Sequence, residues 1–267
     1  MIWRRRQKAA AAALALLGVY LLVALLSDGS ASGLSQRALA SGMEAPRRRV
    51  ALLIYGVRME TLFETFSSIR RHVVQTTAAD VFVYGREVPE YNTSGAVRAA
   101  FGPHLKGVHL GQQLEEHEIN ALLASAKRHA DIQKVCGGSN LLKPGTLNGL
   151  VWSQLVYELA SSYERMHGFE YDYMIFMRPD VEWFAPFPPL ELLDAKHQIW
   201  LPTRTPWGGI PASLIVCPRG LCQHWASWWH KLRNGTIVDE LEKANEWKVR
   251  IFVFIASIVP HNANLIH

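Results

Sequence analysis

Apolar positions in this chain come in runs of two lengths. The longest, Ala9 to Leu26, contains no charge and follows Arg4-Arg5-Arg6-Gln7-Lys8. It is about the minimum length that crosses a bilayer. Cations stand before the run and none close behind it, which predicts a cytoplasmic N-terminus with the remainder across the membrane. The small residues Ser30-Ala31-Ser32-Gly33 also suit a cleaved signal peptide, but the run is long for an h-region and favours an uncleaved anchor. The short runs read as buried strands: Val50 to Tyr55, Asp80 to Gly85, Tyr173 to Met177, Ile199 to Pro202 and Leu214 to Cys217. Val249 to Val259 is apolar but too short to span a membrane.

Between the strands the period changes. After Gly56-Val57-Arg58, the positions Leu62, Phe63, Phe66, Ile69 and Val73 form one helical stripe. Leu114 to Ile132 reads as a mixed-face helix with Glu115, Glu116 and Glu118 in its first turns, as the helix dipole prefers. Thr146 is placed to cap a helix reaching about Met166, with Leu150, Leu155, Leu159 and Tyr163 as its core face and Gly168 as its stop. Within it Asn148, Trp152 and Gln154 read either as cleft residues or as packing. Gln223 to Leu232 reads as a helix whose Trp225, Trp228 and Trp229 belong to the core. Arg86 to Gly111, with Pro89, Gly95, Gly102 and Pro103, reads as irregular. Strand, glycine turn, helix, strand is a βαβ opening, so the fold class is α/β. The division that follows is a tail over 1–8, a transmembrane anchor over 9–26, a stem over 27–49 rich in Ser, Ala and Gly, and one domain over 50–267.

Charge changes the picture little. The formal +5 over 267 residues falls to +1 once Arg4, Arg5, Arg6 and Lys8 are assigned to the anchor flank. Removing the stem, where Arg37, Arg47, Arg48 and Arg49 stand against Asp28 and Glu44, leaves −1 on the domain. The basic excess therefore marks topology and a stem, and gives no support for a nucleic-acid partner. Three cysteines, Cys136, Cys217 and Cys222, allow at most one internal disulfide, and Cys217 and Cys222 are close enough to close a small loop. No Cys/His spacing suggests zinc. Gly137-Gly138-Ser139-Asn140 lacks the Lys-Ser/Thr ending of a phosphate loop, which removes an ATPase. Asn92-Thr93-Ser94 and Asn234-Gly235-Thr236 are glycosylation sequons in keeping with a lumenal domain. His104, His109, His117 and His129 have no ligand spacing and read as surface residues.

The chemistry gathers where the strand Tyr173 to Met177 gives way to Arg178-Pro179-Asp180-Val181-Glu182. Pro179 stops the ladder where the acids begin. Open α/β sheets bind ligands at the carboxyl ends of their strands. Asp180 and Glu182, spaced i and i+2, suit one divalent cation whose remaining positions go to water and a phosphate. In a βαβ opening the first turn faces the nucleotide: Gly56 lets a ligand approach the backbone and Arg58 suits a phosphate or base. Trp207-Gly208-Gly209 offers a flat aromatic surface on which a sugar ring can stack.

In the order in which they occur, these segments resemble a lumenal GT-A-type glycosyltransferase, closest to a poorly characterised group of algae, other protists and large viruses. The matching segments are Ile54-Tyr55-Gly56-Val57-Arg58, Asp80-Val81-Phe82-Val83, Gln154, Tyr171 to Asp180, and Trp207 to Ile210. Two departures stand out: Phe176 replaces the group's first Arg of Arg-x-Arg-Pro-Asp, and Pro211-Ala212-Ser213 replaces Asp-Arg-Phe. The resemblance implies a Rossmann-type, mixed, mostly parallel sheet flanked by helices. It implies a Golgi or ER membrane enzyme of single-pass type II topology that moves a sugar from a nucleotide diphosphate-sugar to a glycan or glycoprotein. Asp180 and Glu182 would hold Mn²⁺ or Mg²⁺, with Gly56, Arg58 and Arg178 at the diphosphate and Gln154, Trp207, Gly208 and Gly209 at substrate. The metal acts there as a Lewis acid on the leaving group. Asp239, Glu240 and Glu246 are the downstream candidates for a base in an inverting reaction, and His261 is a further possible metal ligand. A non-catalytic lumenal carbohydrate-binding or scaffold protein of the same fold is the alternative. A sulfotransferase would need a Ser/Thr loop after the first strand, which Gly56-Val57-Arg58-Met59 does not supply.

Overall fold

The computed structural model describes residues 48–56, 58–136, 142–193, 198–202, 213–240 and 265–266. The anchor, most of the stem, Trp207, Gly208, Gly209, Glu246, His261 and the run from Val249 to Val259 lie outside these residues. Among the described residues no helix is long and apolar enough to cross a membrane.

Four of the five strands of the large sheet form where the apolar runs predict. β1 (Val50–Gly56), β2 (Asp80–Arg86), β3 (Leu105–Gly111), β4 (Tyr173–Met177) and β6 (Leu214–Pro218) make one sheet in the order β3-β2-β1-β4-β6. The pairs β1–β2, β1–β4 and β2–β3 are parallel, and β6 runs antiparallel to β4. A second small sheet pairs β5 (Leu201–Pro202) with β7 (Leu265–Ile266).

Both faces of the large sheet are covered, which is why its central strands read as unbroken apolar runs rather than alternating ones. One face carries Leu52, Ile54, Val81, Val83, Ile175 and Met177. Against it packs α1 (Leu62–Ile69), continued by a π turn over Arg70–Val74 and a last α turn over Gln75–Thr77. α2 (Thr93–Phe101) adds Val97, Ala100 and Phe101 to the same face. The other face carries Leu53, Tyr55, Phe82, Met174 and Phe176. It is covered by α3 (Glu116–Ala124), α4 (His129–Cys136), the long α5 (Pro144–His167), α6 (Arg219–Ala226) and α7 (Trp228–Asn234). Phe176 and Tyr173 are fully enclosed, and each such side chain stabilises the fold by about 1.5–3 kcal/mol.

Several elements differ from the sequence expectation. The supposedly irregular stretch from Arg86 to Gly111 holds α2 and β3. β3 is an edge strand, so Lys106 and His109 stay exposed and no apolar run marks it. Its Gly107 is needed because α5 lies against it: a Cβ there would stand 2.9 Å from Leu159. The single helix expected over Leu114 to Ile132 is two, broken at Arg128, whose φ of 58° is left-handed. The break lets Lys127 N–H donate to Arg233 O at 2.9 Å and dock on α7. Gln223 to Leu232 also spans two helices, divided at Ser227.

α5 starts at Pro144 with Lys143 as its N-cap, not at Thr146, since a proline's fixed φ and missing donor suit the first turn. Gly168 ends it with φ 67°, as expected. Its buried stripe is Leu147, Trp152, Val156 and Ala160, joined by the polar Asn148, Ser153, Ser161 and Glu164. The predicted face of Leu150, Leu155, Leu159 and Tyr163 is only half buried. Apolarity alone misplaces the stripe because buried polar groups are tolerated where they are bonded. Asn148 exchanges bonds with Leu114 N–H and O (3.2 and 3.1 Å), and Arg219 grips Glu164 with three N–O contacts of 2.8–2.9 Å.

Candidate functional site

The parallel register brings the ends of β1, β2 and β4 to one edge, where Gly56 pairs with Gly85 and Ile54 with Met177. Glycine is required at both turn positions by close approach. A Cβ on Gly56 would lie 2.8 Å from Cδ of Pro179, and one on Gly85 would lie 2.5 Å from Sδ of Met59 and 2.8 Å from Gly56 O. The turn after β1 therefore rests directly on the proline of Arg178-Pro179-Asp180.

The loop after β4 is held on several sides. Arg178 N–H donates to Ser213 O at 2.9 Å. Thr65 Oγ1 on α1 donates to Pro179 O at 2.6 Å, and Trp183 N–H donates to Ser68 Oγ at 3.1 Å. The π turn that follows α1 carries the His72 carbonyl, which accepts Phe187 N–H at 2.7 Å. Trp183 adds a contact from its indole N–H to Met177 Sδ at 3.2 Å. With its backbone fixed in this way, the loop can change its offering only by side-chain rotation.

Arg178 and Asp180 meet as a fork. Arg178 Nε donates to Asp180 Oδ1 at 2.9 Å, and Nη2 donates to Oδ2. The Asp180 side chain is 25% exposed and that of Arg178 46%, so the pair is neither buried nor fully in solvent. Glu182 is exposed. Behind the fork, the Tyr55 phenol is buried. Burial pushes its pKa well up, while the neighbouring Trp225 and the Arg178 charge pull the other way. Phe176 meets the Tyr55 ring edge-on with centroids 6.3 Å apart.

On the β2 side, Tyr84 stacks on His109 with centroids 4.7 Å apart. Its phenol pKa is raised by partial burial and, secondarily, by Glu158. Gln154 donates to Glu158 Oε1 at 2.6 Å, which fixes its amide orientation and leaves its buried Oε1 without a hydrogen bond among the described residues. Arg58 is exposed at the start of the helix after β1, its carbonyl accepting from Thr61.

Among the described residues no group of three His, Cys, Asp or Glu side chains comes together. The donor set that is present, Asp180 with the exposed Glu182, fits a hard cation that takes one or two carboxylates and draws its other oxygens from water and phosphate. Asp239 is paired with Arg128, which also holds Asp131 at 2.9 Å, and Glu240 is 3.0 Å from Lys231. Each of those two acids is committed to an ion pair, Asp239 with the residue just before α4 and Glu240 with a lysine of α7. Cys217 and Cys222 are joined in a disulfide, Cα–Cα 5.5 Å, that ties the end of β6 to α6. His104 Nδ1 donates to Ala79 O at 3.2 Å, and the residue is half buried rather than free on the surface.

Sequence reasoning did not single out Thr65, Ser68 or Ser213 as the residues that fix the site. A signal existed for Thr65: it lies on the same helical face as Leu62 and Ile69, and all three are buried. A hydroxyl on an apolar stripe needs a partner.

No family model and no curated protein matches the chain. Solved structures do align with it. They include a mannosyltransferase from Pyrobaculum calidifontis in complex with GDP-Man and Mn²⁺ (13% identity, TM-score 0.36), matched over 67% of this chain and 47% of its own. Mouse xyloside xylosyltransferase 1 in its apo form aligns at 9% identity and TM-score 0.41 over 82% of this chain and 85% of its own. A glycosyltransferase involved in glycosylation of the major capsid of PBCV-1 aligns at 8% identity and TM-score 0.39 over 82% of each chain. At such identities and scores nothing about the residues of the site follows from these likenesses.

Proposed function

We propose that this chain is a metal-assisted glycosyltransferase of the GT-A type, anchored in a Golgi or ER membrane. On this reading the domain over 50–267 is lumenal and uses a nucleotide diphosphate-sugar as donor and a glycan or glycoprotein as acceptor. The observation that carries the reading is the contact of Gly56 with Pro179. It puts the turn after β1, the place for a nucleotide, against the loop that bears Arg178 and Asp180. The lone disulfide in so short a loop accords with an oxidising compartment.

Asp180, with Glu182, would hold Mn²⁺ or Mg²⁺, and the cation supplies Lewis-acid stabilisation of the departing diphosphate. The residues of the chain do the positioning. Gly56 admits the diphosphate to the backbone, while Arg58 and Arg178 offer it charged donors. Gln154, Trp207, Gly208 and Gly209 belong to substrate contact, and Glu246 remains, beside the ion-paired Asp239 and Glu240, a candidate to take the acceptor's proton.

The test is calorimetry of the full-length chain with UDP, GDP and their sugars, with and without Mn²⁺. Binding by one nucleotide that needs Mn²⁺, and that Asp180→Asn abolishes, is the expected result. Equal binding with and without metal, or an Asp180→Asn variant that binds as the parent does, would refute the metal assignment. Binding of glycan alone, with no nucleotide affinity, would refute the enzyme.

A further inference from the structure

Arg178 and Asp180 are the two groups that the proposed activity needs to act on opposite charges, one on a phosphate and the other on a cation. Here they neutralise each other. The Arg178 guanidinium spans both carboxylate oxygens of Asp180, through Nε at 2.9 Å and through Nη2. A two-point fork of this kind is geometrically specific and stronger than an ordinary ion pair. Backbone movement cannot open it easily, since Arg178 N–H is tied to Ser213 O, and Pro179 is wedged between Gly56 and the Thr65 hydroxyl.

We infer that the site takes its cation and its diphosphate as one unit, because the Arg178–Asp180 fork closes the carboxylate to a free cation. The inference rests on the function proposed above. A dication arriving alone would have to strip Asp180 from Arg178 and leave that guanidinium without its partner beside a like charge. Held by a diphosphate, the same dication brings a replacement partner for Arg178. One side-chain rotation then exchanges two ion pairs at once, and no bare charge is left. The sequence order Arg-Pro-Asp suits this exchange: the proline stiffens the bond between the partners, so the fork re-forms in one geometry when the site empties.

The test is a Mn²⁺ titration of the full-length chain, followed by loss of the free-ion electron paramagnetic resonance signal, alone and with saturating nucleoside diphosphate. The parent is expected to bind Mn²⁺ weakly on its own. Arg178→Met is expected to bind it about fivefold more tightly, the size set by a two-point, partly exposed pair. Arg178→Lys keeps a cation beside Asp180 but only one point of contact, and is expected to bind Mn²⁺ more tightly than the parent and more weakly than the Met variant, which separates charge from any folding effect of the Met variant. If Arg178→Met and the parent bind Mn²⁺ alone equally, while the parent still binds Mn²⁺ with the diphosphate, the closing role is wrong and the site assignment survives. If no variant binds Mn²⁺ under either condition, the metal reading falls and this inference with it.

Discussion

Replacing Gly56 by alanine tests the contact on which the site is built. The new Cβ would stand 2.8 Å from Cδ and 3.2 Å from Cγ of Pro179. Ordinary carbon–carbon contacts lie at about 3.5–4.0 Å, so the proline ring must retreat by about 0.7 Å or more. It has little room. Its carbonyl is held by Thr65 Oγ1 at 2.6 Å, and the preceding N–H is held by Ser213 O at 2.9 Å. Overpacking of this kind costs about 1–3 kcal/mol. For a domain of this size that lowers Tm by a few degrees to about 10 °C.

The displacement should also move Asp180, so Mn²⁺-dependent nucleotide binding should weaken by more than the stability loss explains. Gly220→Ala is the internal control, because nothing lies within 4 Å of its Cβ and it sits inside α6. That change is expected to be neutral or to stabilise by about 0.5–1 kcal/mol. Urea unfolding followed by tryptophan fluorescence measures both variants. Were Gly56→Ala to unfold at the same urea concentration as the parent, the turn after β1 would not press on Pro179, and the argument for a joint site would fail.

Arg219→Met should cost about 3 kcal/mol in urea unfolding, because it strands the Glu164 carboxylate, whose side chain is only 4% exposed. The double change Arg219→Met with Glu164→Leu should recover much of that loss, and a double variant no better than the single one would deny the pair. Alkaline stability depends on tyrosines. Burial pushes both the Tyr55 and Tyr171 phenols up, Asp80 adding to the latter, so both stay protonated in the fold while the unfolded chain ionises. The stability they confer is therefore complete below about pH 10 and is lost progressively above it. Tyr171→Phe should flatten the fall between pH 10 and 12 seen in urea midpoints, and an unchanged slope would be the contrary result. Asp172→Asn weakens the acceptor of Arg49 N–H at 2.7 Å and should lower stability by about 1 kcal/mol while leaving Mn²⁺ binding intact. Loss of Mn²⁺ binding in that variant would mean the two acids of the Tyr171 to Asp180 stretch share a role.

The sheet was readable because burial on both faces writes strands as compact apolar runs, and Tyr173 to Met177 appears with the expected ends. β3 was not, since an edge strand with Lys106 and His109 exposed carries no such run. The break at Arg128 was hidden for another reason: it exists to dock Lys127 on Arg233, a partner over a hundred residues away that no local pattern records. For the site, the acids after β4 and the glycine after β1 could be read from residue type and strand end. What could not be read is the pairing of Arg178 with Asp180, or of Asp239 with Arg128 and Glu240 with Lys231. A sequence gives the charges available and not the partners that tertiary contact assigns to them.

The stretch from Tyr171 to Asp180 shows why a short motif can carry two unrelated duties. At its start, the Tyr171 hydroxyl donates to Asp80 Oδ2 at 2.9 Å and Asp172 accepts from Arg49, so one dipeptide knots the beginnings of β1, β2 and β4. At its end, Arg178 and Asp180 stand at the opposite edge of the sheet. The two ends are separated by the five residues of β4, about 16 Å of extended chain. The strand therefore works as a ruler. Because side chains alternate, a slip of one residue would turn Phe176 and Met177 to the wrong faces and carry the loop with them. The knot at the start forbids that slip, and the fork at the end inherits its register from it. Asp172 and Asp180 have the same side chain and lie eight positions apart. One sets where the loop begins, the other is what the loop presents.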